Sequence, residues 1–242
     1  MKINFNNVIL CVTILVGAWL LGSDYKNRFD YQNNISVTGL GTRDFTSDLI
    51  TWSASFNRLD MDLKNAYKLL DADRELVKKY LMEKGVREDE MVFSSVDYNK
   101  ETDTWYDNSN NRHSNFLGYR LTQSVKIQSK RVNEIENISR EVTELINQGV
   151  ELTSSAPEFF YTKLAELKLE MVAQATEDAT KRARKIAENA GARLDGLKNA
   201  TMGIFQITGQ NSSEDYSWGG TFNTYAKEKT ASITMKLEFG VR

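Results

Sequence analysis

The closing stretch of the chain leaves little choice of conformation. Ala231, Ile233, Met235, Leu237, Phe239 and Val241 alternate with Thr230, Ser232, Thr234, Lys236 and Glu238. A sustained period of two makes this a strand with one apolar face and one wet face. Other segments must cover the apolar side. Ile50, Trp52, Ala54 and Phe56 alternate in the same way with Thr51, Ser53, Ser55 and Asn57. Leu117, Tyr119, Leu121, Val125 and Ile127 share a face of a third strand, and Val92, Val96 and Tyr98 share a face of a strand before it. Ile35 to Thr38 begins as a strand and meets Gly39-Leu40-Gly41, a turn or bulge signal.

Three segments carry the helical period instead. Leu63, Ala66, Leu70, Val77 and Leu81 recur at helical spacing before Gly85. A second helix is expected from Asn133, with Glu136 completing a capping box, an apolar stripe of Ile135, Ile138, Val142 and Leu145, and an end at Gly149. The third and longest runs from Lys163 to Ala190, with Leu164, Leu167, Met171, Ala175, Ala179, Ala183, Ile186 and Ala190 inward and Gly191 as its cap. Val150 to Tyr161 is extended, and Met202 to Thr208, apolar on both faces, reads as a central strand. The expected architecture is α+β, with an antiparallel or mixed sheet, helices on one face, and the order ββαββαβαββ.

The first 22 residues stand apart. Lys2 precedes an apolar run from Val8 to Gly22, the form of an export signal or a membrane anchor. Trp19, Leu20 and Leu21 crowd the place where a cleavage site needs small residues, which favours an uncleaved anchor over a cleaved signal. Residues 23–34 read as a polar tether and 35–242 as the folded domain. That places the domain on the extracytoplasmic side of a cell envelope, periplasmic or surface-exposed, with the membrane as a partner through residues 8–22. The single cysteine, Cys11, lies in the apolar run, so no internal disulfide exists. Net charge is −2, from 31 basic and 33 acidic residues, which argues against nucleic acid as a partner.

Taken in order, Ile35-Ser36-Val37-Thr38-Gly39-Leu40-Gly41, Gly118-Tyr119-Arg120-Leu121-Thr122-Gln123-Ser124-Val125, Ala175-Thr176-Glu177-Asp178-Ala179-Thr180-Lys181-Arg182-Ala183 and Gly203-Ile204-Phe205-Gln206-Ile207-Thr208 resemble the SIMPL domain family, also called DUF541. The resemblance spans about Asn33 to Arg242. Ser47-Asp48 stands where the family often has Pro-Asp, and the polar stretch from Asp97 to Asn115 is longer than usual, which bears on what the surface binds. The resemblance implies an envelope α+β domain, often anchored or exported, associated with oxidative-stress defence. It also implies self-assembly in some relatives, and no catalytic residue to carry over.

Few residues suggest chemistry. The only histidine, His113, sits in a polar stretch read as a loop, and no Cys/His pair exists in the folded part. The His and Cys ligands of zinc or copper sites are missing. Asp97, Asn99, Glu101 and Asp103 fall at alternate positions, but Thr102 replaces the glycine a calcium loop needs, so they read as a solvated acidic hairpin loop. Lys181, Arg182, Arg184 and Lys185 read as a salt-bridged helix face, with Glu177, Asp178 and Glu188 four residues away. No metal, cofactor or catalytic residue is assigned. The notable feature is aromatic. Trp105 and Tyr106 lie in one long polar stretch, and Tyr216, Trp218, Phe222 and Tyr225 in another, from Gly209 to Tyr225. Such residues bury much area with few rotors, and are candidates for self-association or partner contact. Packing on their own domain and ligand binding are the other two readings. The expected function is a non-enzymatic envelope protein that self-associates or scaffolds, with stress tolerance as its setting. The alternatives are a ligand-binding module, or a hydrolase acting through carboxylates.

Overall fold

The computed structural model describes residues 13–19, 22, 33–215 and 217–242. Of the expected leader, residues 13–19 and 22 are helical, and the rest lies outside the described residues. The domain runs β1 (Asn34–Thr46), β2 (Leu49–Asp60), α1 (Leu63–Glu83), β3 (Met91–Phe93), β4 (Asp97–Tyr106), β5 (Arg112–Ser129), α2 (Val132–Glu141), β6 (Glu151–Ser154), β7 (Glu158–Phe160), α3 (Leu164–Asn189), β8 (Leu194–Met202), β9 (Gln206–Gly209) and β10 (Glu228–Val241). The strands form two antiparallel sheets, and the α+β class with helices on one face of each holds.

In the first sheet β10 is central, with β1 on one side and β8 and β9 on the other. The apolar face expected of β10 is buried: Ala231, Ile233, Met235, Leu237 and Phe239 pack with Val37, Leu167, Met171, Ala175, Ala179 and Ala183 beneath α3. Gly39 and Gly41 are neither turn nor bulge. They keep regular register against Met235 and Ile233. A Cβ on Gly39 would lie 2.1 Å from the Ala175 carbonyl oxygen, and one on Gly41 would lie 2.5 Å from that of Met171. The glycines therefore let the α3 backbone rest directly on the strand, and the alanines opposite serve the same end. The buried stripe of α3 ends on Ala187, with Ile186 and Ala190 exposed, a departure from the expected spacing.

The second sheet is centred on β5 and β2, flanked by β3 and β4 on one edge and by β6 and β7 on the other. Its core is built of larger side chains. Trp52, Phe56, Leu70, Leu81, Leu121, Ile127, Ile135 and Leu145 are among those fully buried between the sheet and α1 and α2. Glycines 85 and 191 have φ of +93° and +72°, the left-handed conformation expected after α1 and α3, while α2 passes beyond Glu141 into a 3-10 turn over Val142–Gln148 that ends at Gly149, φ +86°. The capping box at Asn133 does not form. The helix starts one residue earlier with Arg131 as N-cap and no side-chain cap, and Glu136 binds Arg140 and Lys227 instead.

Three expected strands are each divided in two. Pro157 has no N–H and lies between β6 and β7. Ser94 turns between β3 and β4, its carbonyl taken by the Gln123 amide. Gly203 lies between β8 and β9, where a Cβ would meet the Thr234 hydroxyl at 2.3 Å. The expected central strand over Met202–Thr208 is therefore the end of one outer strand and the start of another.

The sheets join at Ser47–Asp48. The Asp48 N–H donates to the Phe160 carbonyl at 3.0 Å, and its carboxylate accepts from the Thr162 N–H and hydroxyl, each at 2.7 Å. β1 thus passes into β2 with two residues between them.

Candidate functional site: two aromatic projections and the junction

The stretch Asp97–Asn115 is a hairpin, not a loop. The β2–β5 ladder ends at Asp60 and Tyr119, while β4 and β5 stay paired out to Tyr106 and Arg112. Beyond Gly118, where a bulge shifts the register, only these two strands pair among the described residues. The result is a two-stranded arm. Trp105 and Tyr106 are neighbours on β4, so their side chains leave opposite faces. Both are exposed, as are Phe116 and Leu117. Trp105 stacks on His113 at 4.3 Å between ring centroids, and His113 Nε2 lies 3.0 Å from Asp107. His113 is therefore a strand residue at the arm's tip. Asp107 also accepts from the Ser109 and Asn111 N–H groups at 2.9 Å and closes the turn. His113 first, then Asn111, holds its carboxyl well below the usual range, at about 2.

Asp97, Asn99, Glu101 and Asp103 lie along this extended strand. Alternate residues step about 6.5 Å apart in a strand, so they do not converge on a point. Glu101 pairs with Arg120 instead. Among the described residues no group of three or more His, Cys, Asp or Glu gathers as a metal site.

The second aromatic group belongs to the other sheet. Residues 210–227 connect β9 to β10, and the described part of the segment is held at several points. The Gln206 side chain donates to the Ser217 carbonyl at 2.8 Å and accepts from the Thr221 N–H at 2.6 Å. Glu214 accepts from the Gly209 N–H at 2.9 Å and also binds Asn223. Ile207 exchanges backbone bonds with Thr221 and Asn223. On this braced loop Trp218 is 96% exposed, and Phe222 and Tyr225 are exposed as well. Tyr216 lies outside the described residues. The aromatic candidates thus form two groups, one on each sheet.

The family profile of SIMPL, described as a protein of unknown function (DUF541), matches residues 35–239. The chain belongs to the SIMPL family. No curated protein matches it. The match covers both sheets, so the arm and the braced loop are both parts of this SIMPL domain.

At the junction of its sheets the SIMPL domain buries Lys229, 2% exposed. Its ammonium donates to the Phe159 carbonyl at 2.5 Å and sits 6.0 Å from the Phe222 ring centre. Burial pushes its pKa down to about 8, against the pull of nearby Glu214. Nothing in the strand pattern set Lys229 apart. Its position in phase with Ala231 and Ile233 was the one available signal. On α3, the expected ion pairs join Glu177 to Lys181 at 2.6 Å and Asp178 to Arg182 at 2.9 Å, while Glu188 approaches Lys185 at 3.9 Å rather than Arg184. Asp178 also accepts the Leu40 N–H at 2.9 Å, and in doing so occupies the outer edge of β1.

Proposed function

We propose that this SIMPL domain is a non-enzymatic envelope protein, exported and held by residues 8–22, that self-associates through its arm. The observation that carries the reading is the two-stranded hairpin beyond Gly118, with Trp105, Tyr106, Phe116 and Leu117 exposed on it. A lone two-stranded hairpin is marginal in water, and exposed apolar groups on both of its faces are typical of a surface that a partner covers. The setting, stress tolerance at the envelope, rests on the family resemblance alone.

Light scattering on residues 24–242, which hold every residue of both cores, tests this. The expected result is an oligomer that Trp105→Ala with Tyr106→Ala shifts at least about tenfold toward monomer. A strict monomer at high concentration would remove the reading. Export is tested separately with a reporter fused after Arg242, which should be active only outside the cytoplasm.

A further inference from the structure

The open face of the first sheet carries a groove that the aromatic arm plays no part in. Its floor is the wet side of β10, with Ser232 and Thr234, and its walls are Leu40 of β1, Ile204 and Trp218. It encloses about 370 Å³, within the range of small-molecule sites. Gly203 forms part of it because the chain there runs against the Thr234 hydroxyl, closer than any side chain would permit.

Three features define what such a groove takes. Among the described residues no charged one lines it, so it offers no countercharge to a phosphate or a carboxylate. Its walls are apolar and include one broad aromatic face, while its floor presents hydroxyl groups that donate and accept. Finally, the backbone beside Trp218 is held, while its indole, 96% exposed, keeps its faces open to a ligand. Ser217, next to Trp218, is tied to the buried Gln206 amide through both its carbonyl and its N–H. A pyranose ring has the matching character: an apolar C–H face for the indole and a rim of neutral hydroxyls for Ser232 and Thr234. We infer that this groove binds a neutral saccharide, with the ring stacked on Trp218 and its hydroxyls on Thr234 and Ser232. The inference does not rest on self-association.

The test follows the indole N–H signals of the four tryptophans in the full-length chain by NMR. Trp218 is assigned by the signal lost in Trp218→Ala, a substitution at an exposed side chain. The probes are maltotriose and tri-N-acetylchitotriose, with triglucuronate as the anionic control and hexanol as the apolar one. The expected result is a shift confined to Trp218 with a Kd of about 1 mM for at least one neutral trisaccharide. Trp218→Ala should weaken binding, read on backbone amides of β10, at least about tenfold, while Trp105→Ala leaves it unchanged. Thr234→Val, which keeps the shape and removes the hydroxyl, should weaken it several-fold. Saturation by the corresponding monosaccharide points to a free sugar, and affinity that grows with chain length points to a segment of an envelope glycan. A Trp218 signal unmoved by either neutral trisaccharide overturns the inference. So does a shift produced by hexanol alone, or one as strong with triglucuronate.

Discussion

The two sheets solve the same problem in opposite ways. Under the second sheet the helices stand off, and Trp52, Phe56, Leu70 and Ile127 fill the space. Under the first sheet α3 comes down until its backbone meets Gly39 and Gly41, and Ala175, Ala179 and Ala183 leave almost nothing to fill. The first arrangement stores its stability in buried apolar area. The second depends on the absence of atoms. Close approach also narrows what the helix covers. α3 lies over β1 and β10 and barely reaches β8, so Leu197 and Met202 on that strand are exposed.

The sharpest way to break this contrast is Gly39→Val. A branched side chain has no room against helix backbone, which cannot swing aside as a side chain can. We expect a loss of about 4 kcal/mol or more, measured by urea unfolding. Phe56→Ala, the counterpart in the other core, should cost about 3–5 kcal/mol through lost burial and the cavity it leaves. If the two cores unfold as one unit, both losses appear in a single transition with an unchanged m value.

Lys229→Met sharpens the comparison at the boundary. The lysine amine keeps its proton up to about 10.5 when unfolded but releases it at about 8 in the fold. Between these values the unfolded chain binds more protons, so this group makes stability rise with pH over that window. The methionine variant should lack that rise relative to the parent, as read by melting temperature from pH 7 to 10.5. The smallest effect belongs to the uncovered strand. Leu197→Ser on β8 should stay within about 0.5 kcal/mol, because nothing packs on that side chain closely enough to miss it. A larger loss would mean that β8 is better covered than its exposure indicates.

How far these features could be read beforehand follows from which physical signal each one uses. β10 was legible to its last residues because one buried face imposes a period of two. The arm was illegible as a pair of strands for the converse reason. Both of its faces are wet, so Asp97–Tyr106 shows no alternation, and only backbone pairing makes it a strand. Gly39 and Gly41 were visible but ambiguous. A glycine marks a bend and a close approach equally well, and only the position of α3 distinguishes them. The aromatic candidates were found by composition, yet their division between two sheets depends on pairings between strands far apart in the chain. The groove beside Trp218 was outside reach of the pattern altogether, since it is assembled from β1, β9, β10 and two connecting segments.

The direct passage of β1 into β2 has a mechanical consequence. If a neighbour grips the arm while the residues before Asn34 are held fast, tension enters at one end of β1 and leaves through β2 at the other. The load then crosses from β2 to β5 along the ladder from Ile50 to Asp60, so its hydrogen bonds are strained in shear and must yield together. A ladder loaded this way resists far more force than one peeled open bond by bond.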